Sequence, residues 1–406
     1  MNNKKIIYRN NIQKKHLDLT LSKRFNKRYP NVLKEIFINL NTRKDTFHSL
    51  SKNFKLNFKI KDLDKFKKFK TIVIIGMGGS ILGSEALYYF LKNKIKKDFI
   101  FFNNIDDDKL KRLKSSVDLK KVLFIVVSKS GNTIETLSNF FAFNIIKKKS
   151  KNIIIISEKS NNPLYLLSQK MKLHYIEHRN YIGGRFSVLS EVGLVPAYLM
   201  GININRLRGN ILNHFKTNNK NFLKDSSIKL ANLLKGNIIK NVIFCNYAPK
   251  LEKFLYWNQQ LIAESLGKQG KGFLPTVSTV PKDHHSLVQL YLDGPKDKIF
   301  YIFSEKARTD KTIKIKKKIS KKINFLSNKN LNQIKDAQKN AFIKALKKNN
   351  IPFREFKILD NSEKVLGEFF SYFMLEISIM AKLSNINPFS QPAVEQIKVN
   401  TKNLLS

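Results

Sequence analysis

Short runs of branched aliphatic residues alternate with helix-like segments through much of this 406-residue chain. From residue 66 onward, the pattern predicts strands at 71–75, 98–102, 122–127 and 152–156 and helices at 80–92, 107–115 and 133–147. Strands that are apolar on both sides and joined by helices are typical of a parallel sheet covered on both faces. We therefore expect an α/β protein built on a doubly wound parallel sheet.

The second half of the chain repeats this pattern after a looser stretch at 157–185 and a predicted helix at 190–200. It predicts strands at 241–245, 299–303 and 354–358, helices at 251–267, 330–348 and 363–383, and a loop at 268–285. No proline- or serine-rich linker separates the halves, so we expect two doubly wound lobes packed together. The predicted division is a helical N-terminal lead-in (1–60), a first lobe (61–205), a second lobe (206–384) and a C-terminal helix returning to the site (385–406).

Two loops that follow predicted strands have the composition of a phosphate site. Gly-Met-Gly-Gly-Ser occupies 76–80, and Ser-Lys-Ser-Gly-Asn-Thr occupies 128–133. Each leads into a predicted helix, so free backbone N–H groups and the positive helix end face the same space as the hydroxyls. The first loop lacks the third glycine of a dinucleotide fingerprint and the Gly-Lys-Ser/Thr of a nucleotide phosphate loop. Each loop alone also fits ordinary turn chemistry, but the pair predicts a site for a phosphorylated small molecule.

The charge of the chain is strongly positive, with 76 Lys and Arg against 30 Asp and Glu and a net charge of +46. The lysines are spread along the whole sequence together with many asparagines and isoleucines, as an A+T-rich coding bias would produce. A functional basic region is more often concentrated in a patch or tail. We therefore expect no specific nucleic-acid partner, only a weak, salt-sensitive affinity for polyanions and faster encounter with phosphorylated metabolites.

The sequence also indicates the cellular compartment in which the chain is expected. A single cysteine, Cys245, excludes a disulfide within the chain and a thiolate metal site. No apolar segment approaches the ~20 residues that a membrane-spanning helix needs. The N-terminal Met-Asn-Asn-Lys-Lys lacks the apolar core of a secretion signal. We expect a cytoplasmic protein with no membrane partner.

The predicted helix at 251–267 carries a candidate catalytic pair. Gln260 and Glu264 lie one turn apart and therefore on the same face of a mostly apolar helix. A carboxylate in such surroundings is a candidate general base, although a solvated surface glutamate is the common alternative. Arg185, which follows two glycines, is a candidate for contacting an anionic centre, or else a surface cation.

A second group of candidates lies further along the chain. Asp283-His284-His285 does not predict a metal site, because adjacent side chains diverge and no second ligand pair follows at matching spacing. One of the histidines is a candidate for acid–base work, with an ordinary loop histidine as the alternative. Gln391 and Lys398 lie two turns apart on the final predicted helix, so both could face one cavity.

Taken together, these segments resemble the glucose-6-phosphate isomerase family, whose members have two sugar-isomerase lobes. The resemblance covers about residues 65 to 402, in the order and at the spacing of the family. It consists of six motifs, at 75–83, 128–136, 183–187, 259–264, 285–290 and at Gln391 with Lys398.

The resemblance implies a role for each site residue. The sugar phosphate would be held by Gly79, Ser80, Ser128, Lys129, Ser130 and Thr133. Glu264 would move a proton between C2 and C1, and Arg185 would stabilise the enediolate. His285 and Lys398 would assist ring opening, and Gln260 and Gln391 would line the site. The family needs no metal or other cofactor, and its histidine comes from the neighbouring subunit, so a homodimer is implied; His284 remains a rival for His285.

Three alternatives remain open. The first is a broader hexose-phosphate isomerase that also accepts mannose 6-phosphate, although Gln260 beside the base favours the narrower substrate. The second is a non-catalytic sugar-phosphate-binding regulator, against which the combination of Glu264, Arg185 and His285 argues. The third, a nucleic-acid-binding protein, rests on the net charge of +46 alone.

Overall fold

The computed structural model describes residues 5–306, 313–315 and 320–406, so the first four residues of the N-terminal sequence discussed above lie outside the described residues. Its strands are β1 (Ile6–Asn10), β2 (Thr71–Ile75), β3 (Asp98–Phe102), β4 (Val122–Val127), β5 (Ile153–Ser157), β6 (His174–Glu177), β7 (Asn241–Asn246), β8 (Leu274–Thr279), β9 (Lys298–Glu305) and β10 (Phe353–Ile358). Its helices are α1 (Leu19–Asn41), α2 (Ile60–Leu63), α3 (Leu82–Leu91), α4 (Asp107–Ser116), α5 (Ile134–Ala142), α6 (Pro163–Met171), α7 (Glu191–Leu199), α8 (Ile204–Arg208), α9 (Thr217–Gly236), α10 (Glu252–Leu266), α11 (Asp283–Ser286), α12 (Val288–Leu292), α13 (Leu331–Lys348), α14 (Glu363–Leu383) and α15 (Pro392–Leu405).

The first sheet has the order β3-β2-β4-β5-β6, and all of its strands are parallel. Its central strands β4 and β5 are fully buried because their sequences are almost entirely apolar and both faces of the sheet are covered. Helices on both sides of the sheet connect the strands, as a parallel sheet requires. The predicted doubly wound architecture of the first lobe is therefore confirmed.

The second sheet has the order β1-β10-β9-β7-β8. Four of its strands are parallel, but β1 joins the edge antiparallel to β10. The N-terminal segment, expected to be a helical lead-in, thus contains helix α1 and also a strand that completes the sheet of the second lobe. Sequence spacing alone did not reveal this strand, because a short edge strand such as Ile6–Asn10 carries too few alternating residues to stand out.

The two lobes share one hydrophobic core. Helix α14 is buried along nearly its whole length, and its residues belong to the same cluster as Ile72 and Ile74 of β2 and Phe244 of β7. Two smaller clusters cover the outer faces of the first and second sheets. The chain is therefore two lobes packed together, as expected from the missing linker.

Several elements lie in segments that the sequence pattern left as loops or unassigned. Helix α6 and strand β6 occupy the looser stretch at 157–185, strand β8 lies inside the predicted loop at 268–285, and helix α9 precedes β7. Both strands are sheet edges with partly exposed, mixed polar sequences, and Pro275 is tolerated in β8 because it lies at an edge. Among the described residues, no helix combines the length and apolar character needed to cross a membrane.

Candidate active site

The two predicted phosphate loops lie side by side at one edge of the first sheet. Strands β2 and β4 are parallel neighbours, with Ile75 opposite Val126, so the loops that follow them emerge together. Neither the helix that begins at Leu82 nor the helix that begins at Ile134 has a side-chain cap at its N-terminus. Their first-turn N–H groups remain available to an anion. The two loops therefore share the carboxyl end of the first sheet.

The loop at 128–133 presents hydroxyl groups held in place by one another. Ser128 is buried, and its Oγ lies 2.9 Å from Oγ1 of Thr133. Ser130 Oγ donates to Asn132 Oδ1 at 2.7 Å. Gly131 has a φ of +66° and packs so closely on Asn162 that a Cβ there would lie 1.8 Å from Oδ1, which explains the glycine at this turn. Lys129 Nζ lies 3.6 Å from Glu158 at the loop's outer side.

The loop at 76–80 packs closely against two other segments of the site. A Cβ on Gly79 would lie 2.1 Å from the carbonyl carbon of Gly184, immediately before Arg185. Ser187 Oγ donates to the carbonyl of Gly79 at 3.3 Å. A Cβ on Gly78 would lie 2.7 Å from Nε2 of Gln260 on helix α10. This loop therefore contacts both the arginine segment and the helix that carries the predicted base.

Arg185 is the centre of the site and is only 1% exposed. Its Nη1 donates to Glu264 Oε2 at 2.8 Å and to Gln391 Oε1, and its Nε donates to Ser265 Oγ at 2.9 Å. Burial lowers the pKa of the guanidinium, and the charge of Glu264 opposes this shift. The guanidinium is thus a desolvated cation fixed beside a carboxylate, rather than the surface cation considered as the alternative.

Glu264, near the C-terminal end of helix α10, faces the guanidinium of Arg185. Its side chain is 26% exposed, and Gln260 Nε2 donates to its Oε1 at 2.8 Å, as the one-turn spacing predicts. The guanidinium of Arg185 lies 2.8 Å from this carboxylate, and a carboxylate fixed in this way is a candidate general base. The structure therefore brings Glu264, Gln260, Arg185 and Gln391 into one hydrogen-bonded group next to the loop at 76–80.

Several supporting residues were missed by sequence reasoning. The carbonyl groups of Pro388 and Ser390 accept from Arg185 Nη2, and Trp257 Nε1 donates to the carbonyl of Arg185 at 3.1 Å. Lys268 Nζ donates to the carbonyl of Asn387 at 2.5 Å. Burial and the charge of Arg185 lower the pKa of Lys268 to about 8. Backbone acceptors leave no mark in a sequence, although a buried arginine needs partners for all five N–H groups.

The two adjacent histidines have different surroundings. His284 Nε2 lies 2.6 Å from the hydroxyl of Tyr247, and its ring packs against Phe342. His285 is exposed and makes no such packing contact in the described residues. Asp283, which directly precedes them, holds the start of helix α11 against the end of β8, because its Oδ2 accepts from Thr279 N at 2.8 Å. His284 is thus packed inside the second lobe, whereas His285 is exposed.

The two residues predicted on the final helix, Gln391 and Lys398, have different partners. Gln391 precedes helix α15 and reaches Arg185. Lys398 instead forms an ion pair with Glu395 of its own helix at 2.6 Å, and α15 has no buried residue. The two residues therefore do not contact the same group: Gln391, at the cap of helix α15, reaches Arg185, whereas Lys398 pairs with Glu395 on the exposed face of that helix.

Among the described residues, no group of three or more His, Cys, Asp or Glu side chains is arranged to hold a metal ion. The cationic partner of the carboxylate here is Arg185.

Comparison with known proteins gives consistent results. The chain matches the family model of phosphoglucose isomerase over residues 31–405. It is 34% identical over 358 residues to a Methanocaldococcus jannaschii protein named glucose-6-phosphate isomerase, covering 83% of this chain and 85% of the relative. A protein of the same name from Mycoplasmopsis synoviae is 35% identical over 351 residues, covering 82% of each chain.

Solved structures share the fold. A glucose-6-phosphate isomerase from Chlamydia trachomatis superposes with a TM-score of 0.79 at 18% identity, covering 99% of this chain and 88% of that one. A hypothetical protein from Thermus thermophilus superposes with a TM-score of 0.78 at 23% identity, covering 98% of this chain and all of that one. At these identities the two structures establish the architecture.

Proposed function

The chain belongs to the phosphoglucose isomerase family, and we propose that it interconverts glucose 6-phosphate and fructose 6-phosphate through an enediolate. The observation that carries this proposal is the Arg185–Glu264 pair, whose atoms lie 2.8 Å apart beside the loop at 76–80. Glu264 is the base that moves the proton between C2 and C1. In this role the protein would serve glycolysis and gluconeogenesis in the cytoplasm.

The chemistry of the reaction explains why these two side chains must be neighbours. Removing a proton next to a carbonyl group leaves negative charge on the sugar oxygens. A cation already fixed in a desolvated site stabilises that charge without reorganising during the reaction. Arg185 meets this need because it is buried and held by several acceptors. Gln260 and Gln391 orient the carboxylate and the guanidinium, respectively.

The phosphate loops supply binding energy away from the reacting carbons. We propose that Ser128, Ser130 and Thr133, the backbone of Lys129, and Gly79 with Ser80 hold the sugar phosphate. Two adjacent, uncapped helix N-termini support this assignment, because their N–H groups suit an anion. Holding the phosphate fixes C1 and C2 at the carboxylate, which is how remote binding promotes the chemical step.

Ring opening requires a separate proton carrier, and we propose His285 of a second subunit for it. Histidine titrates in the useful range, and His285 is exposed while His284 is packed. Lys398 would assist from helix α15, whose exposed apolar side chains include Ile397 and Leu404. The active protein is accordingly a homodimer in this proposal, with the first lobe binding phosphate and the second lobe supplying Glu264 and the histidine.

The proposal is tested by a coupled assay of fructose 6-phosphate formation from glucose 6-phosphate, run with a metal chelator present. Turnover that persists in chelator supports the proposed chemistry. Tight binding of glucose 6-phosphate without turnover would instead identify a sugar-phosphate-binding regulator. Mannose 6-phosphate, tested in parallel, decides whether the enzyme is the narrower or the broader isomerase.

A further inference from the structure

A wide groove lies at the end of the first sheet opposite the phosphate loops. It opens at the first residues of β2 and β4, Thr71 and Val122, and has a volume of about 1290 Å³. Seven of its lining residues are lysines: Lys68, Lys70, Lys114, Lys120, Lys121, Lys147 and Lys151. The carboxylate among its lining residues is that of Asp118, which accepts from the backbone N–H of Lys120.

The groove is rich in lysine relative to the chain as a whole. Lysines form seven of its 17 lining residues, whereas lysine and arginine together form 76 of the 406 residues of the chain. The seven come from four stretches that look unremarkable in sequence and that the fold brings together. Within the part of the chain that the structure describes, none of the seven belongs to an ion pair.

A second, smaller concavity extends this basic surface. It shares Lys68 and Lys151 with the groove and adds Lys65, Lys149 and Lys172. The basic surface is therefore a track longer than the groove itself. A hexose phosphate carries one phosphate group and would leave most of these lysines without a partner. A chain of phosphates would engage many of them together.

The shape and the lining residues of the groove indicate which class of polyanion it suits. Apolar and amide groups, including Leu119, Ile145, Asn144 and Asn152, lie among the lysines, and they suit sugars and bases better than bare phosphate. A concave track suits a flexible chain, whereas a bilayer presents a flat surface. Phe69, the aromatic residue among the lining residues, is buried, so binding here would rest on lysine contacts to phosphates rather than on base stacking. We infer that this groove binds the phosphate backbone of single-stranded nucleic acid without reading its sequence.

The test measures binding of a fluorescently labelled 20-nucleotide uridine RNA to the full chain by fluorescence anisotropy at several salt concentrations. Binding through phosphates makes log K fall linearly with log salt, with a slope of about −0.7 for each phosphate contacted by a single strand. Inorganic polyphosphate is added as a competitor at equal phosphate concentration. Isomerase activity and thermal unfolding are recorded for each variant, so this test does not depend on the proposed function.

The informative comparison is between two variants with the same change in net charge. One replaces Lys120, Lys121, Lys147 and Lys151 of the groove by Gln. The control replaces Lys23, Lys27 and Lys34 of α1 and Lys344 of α13 by Gln, and all four of these lysines are exposed and outside the groove. We expect the groove variant to bind at least tenfold more weakly, with a salt slope reduced by about 2 to 3. The control should change affinity less than threefold.

Each other result overturns the inference. Equal losses in the two variants would mean that the RNA responds to total charge and not to the groove. Absence of RNA binding by the unmodified chain at low salt would refute the site outright. Polyphosphate that displaces the RNA far more effectively than unlabelled RNA does would show that the groove accepts bare phosphate chains rather than nucleic acid.

Discussion

Adding one methyl group at Gly79 should damage the site through backbone contacts alone. The Cβ of Gly79→Ala would lie 2.1 Å from the carbonyl carbon of Gly184 and 2.5 Å from the backbone nitrogen of Arg185. Carbon atoms pack at about 3.5 Å or more, so the two segments must separate by more than 1 Å. The neighbouring atoms are backbone, which cannot rotate away as a side chain can.

The displacement predicts both a stability and an activity effect. Overpacking of this kind costs about 1–3 kcal/mol of folding free energy. A shift of about 1 Å in a catalytic group lowers the rate roughly 100-fold, and here the shifted segment carries Arg185. We therefore expect kcat/KM for glucose 6-phosphate to fall about 100-fold while the protein remains folded at 25 °C.

The assay compares kcat/KM and thermal unfolding of Gly79→Ala with those of Gly236→Ala. Gly236 ends helix α9, and a Cβ there would meet nothing within 4 Å, so this control should keep its activity. Wild-type kinetics in Gly79→Ala would show that the contact between the two loops does not position the arginine, and the reasoning from this contact would then be wrong.

Other perturbations have equally specific outcomes. His285→Ala should slow turnover of the cyclic sugar without lowering the melting temperature, whereas His284→Ala should lower the melting temperature; the reverse pattern would exchange their roles. Glu376→Leu should reduce the free energy of unfolding in urea by about 3–5 kcal/mol. The reason is that Arg354 is fully buried and bonded to both carboxylate oxygens of Glu376, so the variant leaves its charge without a partner. A reduction below 1 kcal/mol would contradict this. Burial lowers the pKa of His178 to about 3, so between pH 3 and 6.5 the unfolded chain binds more protons and stability falls as the pH falls. Between pH 7 and pH 5, the free energy of unfolding in urea should therefore fall by about 2 kcal/mol less in His178→Gln than in the wild type. An equal fall in the two proteins would count against this.

Local chemistry made much of the fold and site predictable from the sequence. The aliphatic runs of β2 and β4 are buried on both faces, so their pattern has few other structural solutions. The spacing of Gln260 and Glu264 fixes a contact within one helix turn, which the structure contains. Both predictions depend on residues that are close in sequence, and the structure contains both features.

The parts that could not be predicted depend on long-range packing. Strand β1 pairs with β10, which is more than 340 residues away, and five residues give little pattern of their own. The carbonyl groups of Pro388 and Ser390 bind Arg185 through backbone atoms that any residue provides. The lysine groove at the opposite edge of the first sheet likewise forms only when distant segments come together.

The central claim is that Glu264 moves the proton at C2, and solvent exchange at that carbon tests it most directly. Glucose 6-phosphate incubated with the wild-type chain in deuterium oxide should acquire deuterium at C2, as followed by NMR. Glu264→Gln should bind the sugar phosphate with similar affinity, because the phosphate loops are untouched, but exchange should fall at least 1000-fold. Exchange at a near-normal rate in Glu264→Gln would contradict the account and assign the proton to another group.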